Sequence, residues 1–503
     1  MILTLAVLFL LGTFSTKLTG KLGLPILLIF LAIGMLVGSD GLNLIDFGGT
    51  KEDLEWAGNI ANLALAFILF DSGFGTKRSA LRKHFGPALS LATFGIVLTA
   101  LGLGALIHLI LRIDFTTALL IGSVISSTDA AAVTAILKQK PIREKAASTL
   151  QIESAANDPM AILLTVLMIN IMNGHAANPA VFAAELIWQM GGGMLLGYVM
   201  SEVGIYLFRK LESDNKGYYY VLSTTLVLLV YGIGTEAKVS AMMAVFFAGY
   251  WMGNSNFIFK RGLSFMMEGL STLSNTIVFL LLGILVYPKQ LAGVWKEGLI
   301  IAFCLIFIVR PLTVWICTAF FKFDWKERTM ISWGGVKGAV PIVLATYPGL
   351  YLEPGSPYIG GTSEIFNIVF FVVAVSCLLQ GTTLSAVGKQ LRLLIPPKPQ
   401  SLYSVELLTM KETEYDMFEV QLDENTDLDG KKISELPLEQ DMLITVIIRK
   451  NKMIPPRGGT ELKKEDILFI LAPRHRQLEL TAYFTHVRQA EMEVPSLKGS
   501  EQN

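Results

Sequence analysis

Three observations predict a polytopic α-helical membrane protein of about thirteen spans followed by a small α/β cytoplasmic domain; the interrupted spans described below add inverted repeats with crossed interrupted helices. The first is composition. Of 503 residues, 52% are hydrophobic and only 16% are charged, and mean hydropathy is +0.55. A soluble domain of this size needs far more polar surface. The second is that apolar segments long enough to cross a bilayer recur about thirteen times. The third is that basic residues alternate between successive loops, which a wrong helix count would scramble.

The expected spans are 1–18, 24–39, 54–71, 85–111, 116–138, 148–173, 181–208, 218–235, 238–255, 266–287, 294–321, 328–347 and 363–391. The opening run MILTLAVLFLLG has no basic stretch before it and no clear cleavage site. It is therefore read as a spanning helix and not as a signal peptide. Odd-numbered loops carry Lys17 and Lys21; Lys77, Arg78, Arg82 and Lys83; Lys138, Lys140, Arg143 and Lys145; Arg209, Lys210 and Lys216; Lys260 and Arg261; Lys322, Lys326 and Arg328. Even-numbered loops carry Lys51, Arg112, Lys238, Lys289 and Lys296. Lys and Arg collect on the cytoplasmic side, so the N-terminus is expected outside and the C-terminus inside. Lys389, Arg392 and Lys398 after the last span agree. The second loop, with Asp40, Asp46, Glu52, Asp53 and Glu55, is then external and acidic. A solvated loop explains it better than a cation-concentrating one.

Cys304, Cys317 and Cys377 sit in apolar runs without paired spacing and read as small core residues. The five histidines are not spaced as ligands, so neither a metal nor a resident cofactor is expected. Composition changes at Pro396 to Gln400. The expected domains are a membrane domain over 1–395, a linker over 396–403, a cytoplasmic domain over 404–487 and a polar tail over 488–503. Strands are expected at Met417 to Leu422, Leu443 to Arg449 and Asp466 to Ala472, with one short helix over Gly430 to Leu436. Asn451-Lys452, between Ile448 and Ile454, reads as a hairpin turn.

Polar residues at membrane depth mark the chemistry. QIESAANDPMAILLT (Gln151 to Thr165) puts Glu153, Asn157 and Asp158 inside a lipid-compatible helix. Pro159 removes a backbone donor there and is expected to loosen the helix. SVISSTDAAAVTAIL, in the preceding span, clusters Ser126, Ser127, Thr128 and Asp129 among small residues. Alone it could be a packing seam; with hydroxyls and freed carbonyls it could hold a dehydrated monovalent cation. TMISWGGVKGAVPIVLA, much later, places Lys337 among Gly334, Gly335, Gly338 and Pro341. The two interrupted spans, the fifth and the twelfth, fit two half-repeats of about six helices plus one linker. Arg310, deep in IFIVRPLTVWI, needs a carboxylate partner, and Glu153 is the candidate. Snorkelling to the surface is the alternative for Arg310. Asp129 and Asp158 then remain. A proton and a cation competing for Asp158 is the chemistry of an antiporter, because the empty carboxylate crosses the barrier poorly.

Together these strings resemble the monovalent cation:proton antiporter-1 family, of the sodium/proton exchanger type. The resemblance runs from GLPILLIFLAIGMLVGSDGL through LFDSGF, SSTDAAAV and ESAANDP to WGGVKGAVP. It implies a homodimer in the cell (inner) membrane, with a dimerisation domain of spans 1–3 and 7–10. Spans 4–6 and 11–13 would form a mobile core moving as an elevator. It further implies that Asp158 binds ion and proton, that Thr128, Asp129, Ser154 and Glu153 help build the site, and that Arg310 pairs with Glu153. Asn157 stands where electrogenic relatives have a second Asp, which implies electroneutral exchange. Lys337 replaces the arginine usual in its motif.

The segment DLDGKKISELPLEQDMLITVIIRKNKMIPPRGGTELKKEDILFILA resembles the C-terminal lobe (RCK-C, or TrkA-C) of regulators of potassium transport. Such lobes often pair and bind a small ligand, in some relatives a cyclic dinucleotide. Arg449, Lys450, Lys452 and Arg457 give a basic rim for the phosphates of a regulatory nucleotide; a solvated face explains the same charges. The expected function is K⁺(Na⁺)/H⁺ antiport, with no enzyme activity and no nucleic-acid partner. A ligand-gated channel is disfavoured by the absence of a TVGYG-like string. An intramembrane aspartyl protease using Asp129 and Asp158 is disfavoured by the absence of a GxGD string. A cation-coupled solute symporter on the same fold stays open.

Overall fold

The computed structural model describes residues 6–10, 12–14, 26–38, 40–45, 51–129, 142–175, 179–211, 213, 215–352, 362–395, 414–422, 428–436, 441–449, 452–473 and 476. Among them, eight helices are long and apolar enough to cross a membrane, and four shorter apolar helices accompany them. The chain divides into two units, Met1–Pro397 and Lys398–Asn503.

In the first unit α1 (Ile26–Val37) and α2 (Lys51–Gly75) precede α3 (Arg78–Ser90), which passes through a π-turn at Leu91–Gly95 into α4 (Ile96–Leu111). Arg112, in the left-handed region, ends α4. Asp114 then caps α5 (Phe115–Ile125) by accepting from the Thr116 and Thr117 amides and the Thr116 hydroxyl. Those bonds, the hydroxyl's foremost, hold the Asp114 carboxyl below the usual carboxylate range. Next come α6 (Glu144–Met172), α7 (Pro179–Leu211), α8 (Lys216–Glu236), α9 (Ala241–Gly253) and α10 (Lys260–Ile284). A second π-turn, Cys304–Val309, joins α11 (Pro288–Phe303) to α12 (Arg310–Cys317). Then follow α13 (Trp325–Trp333), α14 (Ala339–Leu344) and α15 (Tyr347–Tyr351). Finally α16 (Thr362–Ser376) continues through a third π-turn, Cys377–Gly381, into α17 (Thr382–Gln390).

The fifth span is interrupted as expected: its helix ends at Ile125 and Ser126 to Asp129 are non-helical; the rest of its expected length, 130–138, lies outside the described residues. The expected effect of Pro159 needs correction. Pro159 does not interrupt α6, which runs unbroken from Glu144 to Met172. Its packing against α3 and α5 outweighs one missing backbone bond.

The helices pack in two groups. In one, α9 lies between α2 and α7, and α10 lies against α1 and α2. In the other, α4 packs on α5, α3 on α6, and α11 on α16. Close approach in the first group depends on small residues. A Cβ at Gly249 would sit 2.3 Å from the Phe70 carbonyl oxygen, and one at Gly73 would sit 2.1 Å from that of Phe246.

The second unit is a four-stranded antiparallel sheet in the order β1-β4-β2-β3. Its strands are β1 (Tyr415–Gln421), β2 (Leu443–Arg449), β3 (Lys452–Ile454) and β4 (Ile467–Pro473). Arg449 pairs with Lys452, and a bulge lies between Ile444 and Val446. Val420, Ile444, Ile447, Leu468 and Ile470 form its core. The short helix expected over Gly430 to Leu436 reduces to a 3₁₀ turn, Ile433–Glu435. The amides of Ile433 and Ser434 bond instead to the carbonyls of Thr460 and Gly458, which draws the segment out of helical pairing.

The α2–α9 contact supplies a test. Gly249→Ala places a methyl against backbone that cannot yield locally, so it should cost about 1–3 kcal/mol. Thermal unfolding in detergent should show a lowered midpoint.

Candidate functional site

The site is built where two helices stop inside the membrane unit. After α5, the Ser126-Ser127-Thr128-Asp129 run carries side chains that compete with the helical ladder, and Ser126 Oγ bonds back to the Ser123 carbonyl at 2.6 Å. On the other repeat, α13 begins with an Asp324–Glu327 capping box and ends at Gly334. Gly335 to Gly338 are non-helical before α14 resumes.

The two breaks pair with each other. The Asp129 amide donates to the Val336 carbonyl at 2.9 Å. Lys337 Nζ donates to the carbonyls of Ser126 and Ser127, both at 2.8 Å. This fully buried side-chain nitrogen therefore sits just past the C-terminal end of α5 and satisfies carbonyls that the break exposes. The glycines leave space for charged neighbours. A Cβ at Gly338 would fall 1.6 Å from Asp129 Oδ2, and one at Gly335 would fall 2.4 Å from Arg310 Nε.

Glu153, Ser154, Asn157 and Asp158 come from α6 and are all buried. Arg310 grips Glu153 bidentately, with Nη1 to Oε1 at 2.6 Å and Nη2 to Oε2 at 2.9 Å. Both residues are almost wholly buried, so Arg310 does not snorkel. Asn157 Nδ2 donates to Thr128 Oγ1 at 2.6 Å, and Thr128 Oγ1 shares a 2.8 Å hydrogen bond with Ser154 Oγ. Asp158 lies within Coulombic range of Asp129 and Lys337.

Among the described residues, Ser127 Oγ, Asn157 Oδ1 and Asp158 Oδ1 are buried here without a hydrogen-bond partner. Buried oxygens are rarely left so. Asp158 also lines a cavity of about 10 Å³ with Asn62, Tyr347, Leu69, Met242 and Val343. That is close to the smallest space that holds one water-sized body.

All eight membrane residues singled out in the sequence thus lie at or beside the breaks. Sequence reasoning missed Asn62 and Tyr347 on the cavity wall, and Ser376 and Gln380, which contact the break from the last span. Gln380, Ser376 and Asn62, polar within apolar runs, were the available signals.

In the second unit the basic rim needs correction. Arg449 is not free for a phosphate: it binds Asp466 through Nε and Nη2 at 2.8 and 2.7 Å and donates to the Glu461 carbonyl at 2.7 Å. The Asp466 carboxylate beside it raises the guanidinium pKa further. Lys452 and Arg457 are exposed, and Lys450 lies outside the described residues.

A membrane unit with two crossed helix breaks beside a buried acid is that of an ion-coupled secondary transporter. The family model "sodium/hydrogen exchanger, transmembrane" matches residues 5–390, and a TrkA-C domain model matches residues 417–485. The chain belongs to the sodium/hydrogen exchanger family; it is a membrane cation/proton antiporter and not an enzyme. It is 35% identical over 487 residues to the K(+)/H(+) antiporter NhaP2 of Shewanella sp. (strain MR-4), covering 96% of this chain and 82% of that one. It is 33% identical over 474 residues to the K(+)/H(+) antiporter NhaP of Alkalimonas amylolytica, covering 93% and 80%. Na(+)/H(+) antiporter 1 of Methanocaldococcus jannaschii is 26% identical over 353 residues, covering 68% of this chain and 81% of that one. The solved structure of the sodium proton antiporter MjNhaP1 from that archaeon, at pH 8, has the same fold. Its TM-score is 0.68 at 23% identity, over 78% of this chain and 99% of that chain.

The buried ion pair predicts a stability pattern. Arg310→Leu strands the Glu153 carboxylate and should cost about 3–5 kcal/mol, whereas Arg310→Leu with Glu153→Leu should recover most of that loss. Thermal unfolding of the single and double variants in detergent checks this.

Proposed function

We propose that this chain exchanges K⁺ for H⁺ one for one, with Na⁺ as the alternative ion, and that Asp158 is the group for which they compete. The observation that carries this reading is the buried Asp158 carboxylate, whose Oδ1 has no partner among the described residues, beside the oxygens of Asn157 and Ser127 that have none among them either. Oxygens without donors suit a dehydrated monovalent cation, and the carboxylate alone suits a proton. Thr128, Ser154 and Asn157 supply or orient the neutral oxygens, while Asp129 and Lys337 balance charge across the crossing. Glu153 is neutralised by Arg310 and serves structure. Asn157 adds no charge, so either loaded form of Asp158 is neutral and the exchange is electroneutral. The relatives that match almost the whole chain are named for K⁺, which favours that ion.

The two helix groups suit an elevator, with α3–α6 and α11–α17 as the moving body. The group around α2, α7, α9 and α10 would be the scaffold and homodimer contact. Loop charges put the N-terminus outside and the C-terminus in the cytoplasm. Regulation by the C-terminal unit has a physical route. Leu394, near the end of the membrane unit, forms a β-bridge with Ile142, and the Arg143 amide donates to the Leu393 carbonyl at 2.9 Å. Arg143 caps the start of α6, the helix that carries Asp158. Lys145 adds a 2.7 Å ion pair to Glu327 on α13. A small phosphate-bearing ligand such as a cyclic dinucleotide would meet Lys452, Arg457 and Lys450 on the second unit.

Proteoliposomes with an imposed proton gradient test the core of this reading. K⁺ should dissipate the gradient without generating a membrane potential, and Asp158→Asn should reduce exchange to background while remaining folded. Retained exchange in that variant would sink the carboxylate assignment. Chains ending at Pro397 should exchange at a different rate from the full chain under identical gradients; equal rates would remove the regulatory role.

A further inference from the structure

We infer that Ser376 and Gln380, on the last span, are positioning residues for the exchange, holding the broken helix so that Lys337 stays on the carbonyls that follow α5. This rests on the antiport reading above. The break after α13 leaves backbone groups without helical partners, and in a bilayer such groups must be satisfied internally. Gln380 Nε2 donates to the Trp333 carbonyl at 3.0 Å, at the end of α13. Its Oε1 accepts from Ser376 Oγ at 2.6 Å, and Ser376 Oγ in turn accepts from the Lys337 amide at 3.0 Å. Cys377 Sγ adds a contact of 2.9 Å to the Lys337 carbonyl.

This relay runs from one end of the break to the residue that crosses to the other repeat. Ser376, Gln380 and Lys337 are each no more than 1% exposed. Gln380 uses both ends of its amide, one donating and one accepting. Neither a hydrocarbon nor a carboxylate of the same shape does both. Ser376 immediately precedes, and Gln380 lies within, a π-turn, Cys377–Gly381, and such turns are frequent at functional sites.

The consequence is chemical as well as mechanical. The relay fixes the Lys337 backbone, and the Lys337 side chain fixes the carbonyls of Ser126 and Ser127. Thr128, next in the chain, bonds both Ser154 and Asn157 beside Asp158. Loosening the relay therefore moves oxygens around the site carboxylate without touching that carboxylate.

The test compares wild type, Ser376→Ala, Ser376→Thr and Gln380→Leu as full chains in proteoliposomes, with Asp158→Asn as control. Apparent KM for K⁺ and Na⁺, maximal rate and the pH profile of exchange are measured beside the thermal midpoint in detergent. Ser376→Ala and Gln380→Leu should raise the apparent cation KM about tenfold, the effect of one buried hydrogen bond near charge, and displace the pH profile. Ser376→Thr, which keeps the hydroxyl, should restore both. A lowered midpoint with unchanged KM and pH profile would overturn the proposal, because that is all a structural role would give. Should Gln380→Leu fail to fold, the Ser376 pair decides alone. An active Asp158→Asn defeats the assignment of Asp158 as the exchanging carboxylate; a silent one with Ser376→Ala behaving as wild type defeats only the relay.

Discussion

Every backbone amide and carbonyl at membrane depth needs a partner within the protein, and this chain breaks two helices there. The rest of the membrane unit answers that constraint. Asp129 and Val336 pair across the breaks, Lys337 takes the two carbonyls that follow α5, and Gln380 takes the last carbonyl of α13. Breaking a helix costs ladder bonds, and what is gained is position. Thr128 leaves the helical register and meets Asn157 and Ser154 on α6, beside a carboxylate that a continuous helix would have covered.

The same logic shows the repeats in a form that residue identities hide. The span before each break carries a π-turn, Leu91–Gly95 in one half and Cys304–Val309 in the other. These spans touch: Ser90 Oγ donates to the Cys317 carbonyl at 3.1 Å, and the Thr99 and Thr313 hydroxyls lie 3.4 Å apart. One extra residue per π-turn rotates the following helix by roughly 100°. Arg310 is the first residue after the second π-turn, and there it meets Glu153 inside the protein.

Much of this was legible before any coordinates. Hydropathy and loop charge located the spans because the bilayer imposes both. The Glu153–Arg310 pair was legible because a guanidinium in an apolar run leaves few choices. The breaks were legible as Gly, Ser, Thr and Asp in otherwise apolar helix. What stayed hidden were partnerships with backbone, which leave no mark in composition. Lys337 ends on carbonyls, Ser376 on an amide, and a π-turn differs from an α-helix only in which amide meets which carbonyl. The Gly430 to Leu436 segment misled for the same reason: the amides of Ile433 and Ser434 are claimed by the carbonyls of Thr460 and Gly458, far along the chain. Arg449 looked available for a ligand because nothing in its neighbourhood marks Asp466 as its partner.

Lysine and arginine divide the buried positive charge by geometry. A guanidinium presents a planar fork that matches a carboxylate, and Arg310 uses it so, occupying both oxygens of Glu153. An ammonium is a compact point donor, and Lys337 spreads its hydrogens over two carbonyls 2.8 Å away. Arg310 therefore consumes an acid, whereas the bonds of Lys337 go to backbone. With Glu153 taken and Lys337 satisfied elsewhere, Asp158 keeps an oxygen that no described side chain or amide claims. A second guanidinium reaching for a carboxylate at that crossing would compete for this oxygen. With its hydrogens spread over two carbonyls, the lysine in the GGVKG string leaves both oxygens of Asp158 to other chemistry.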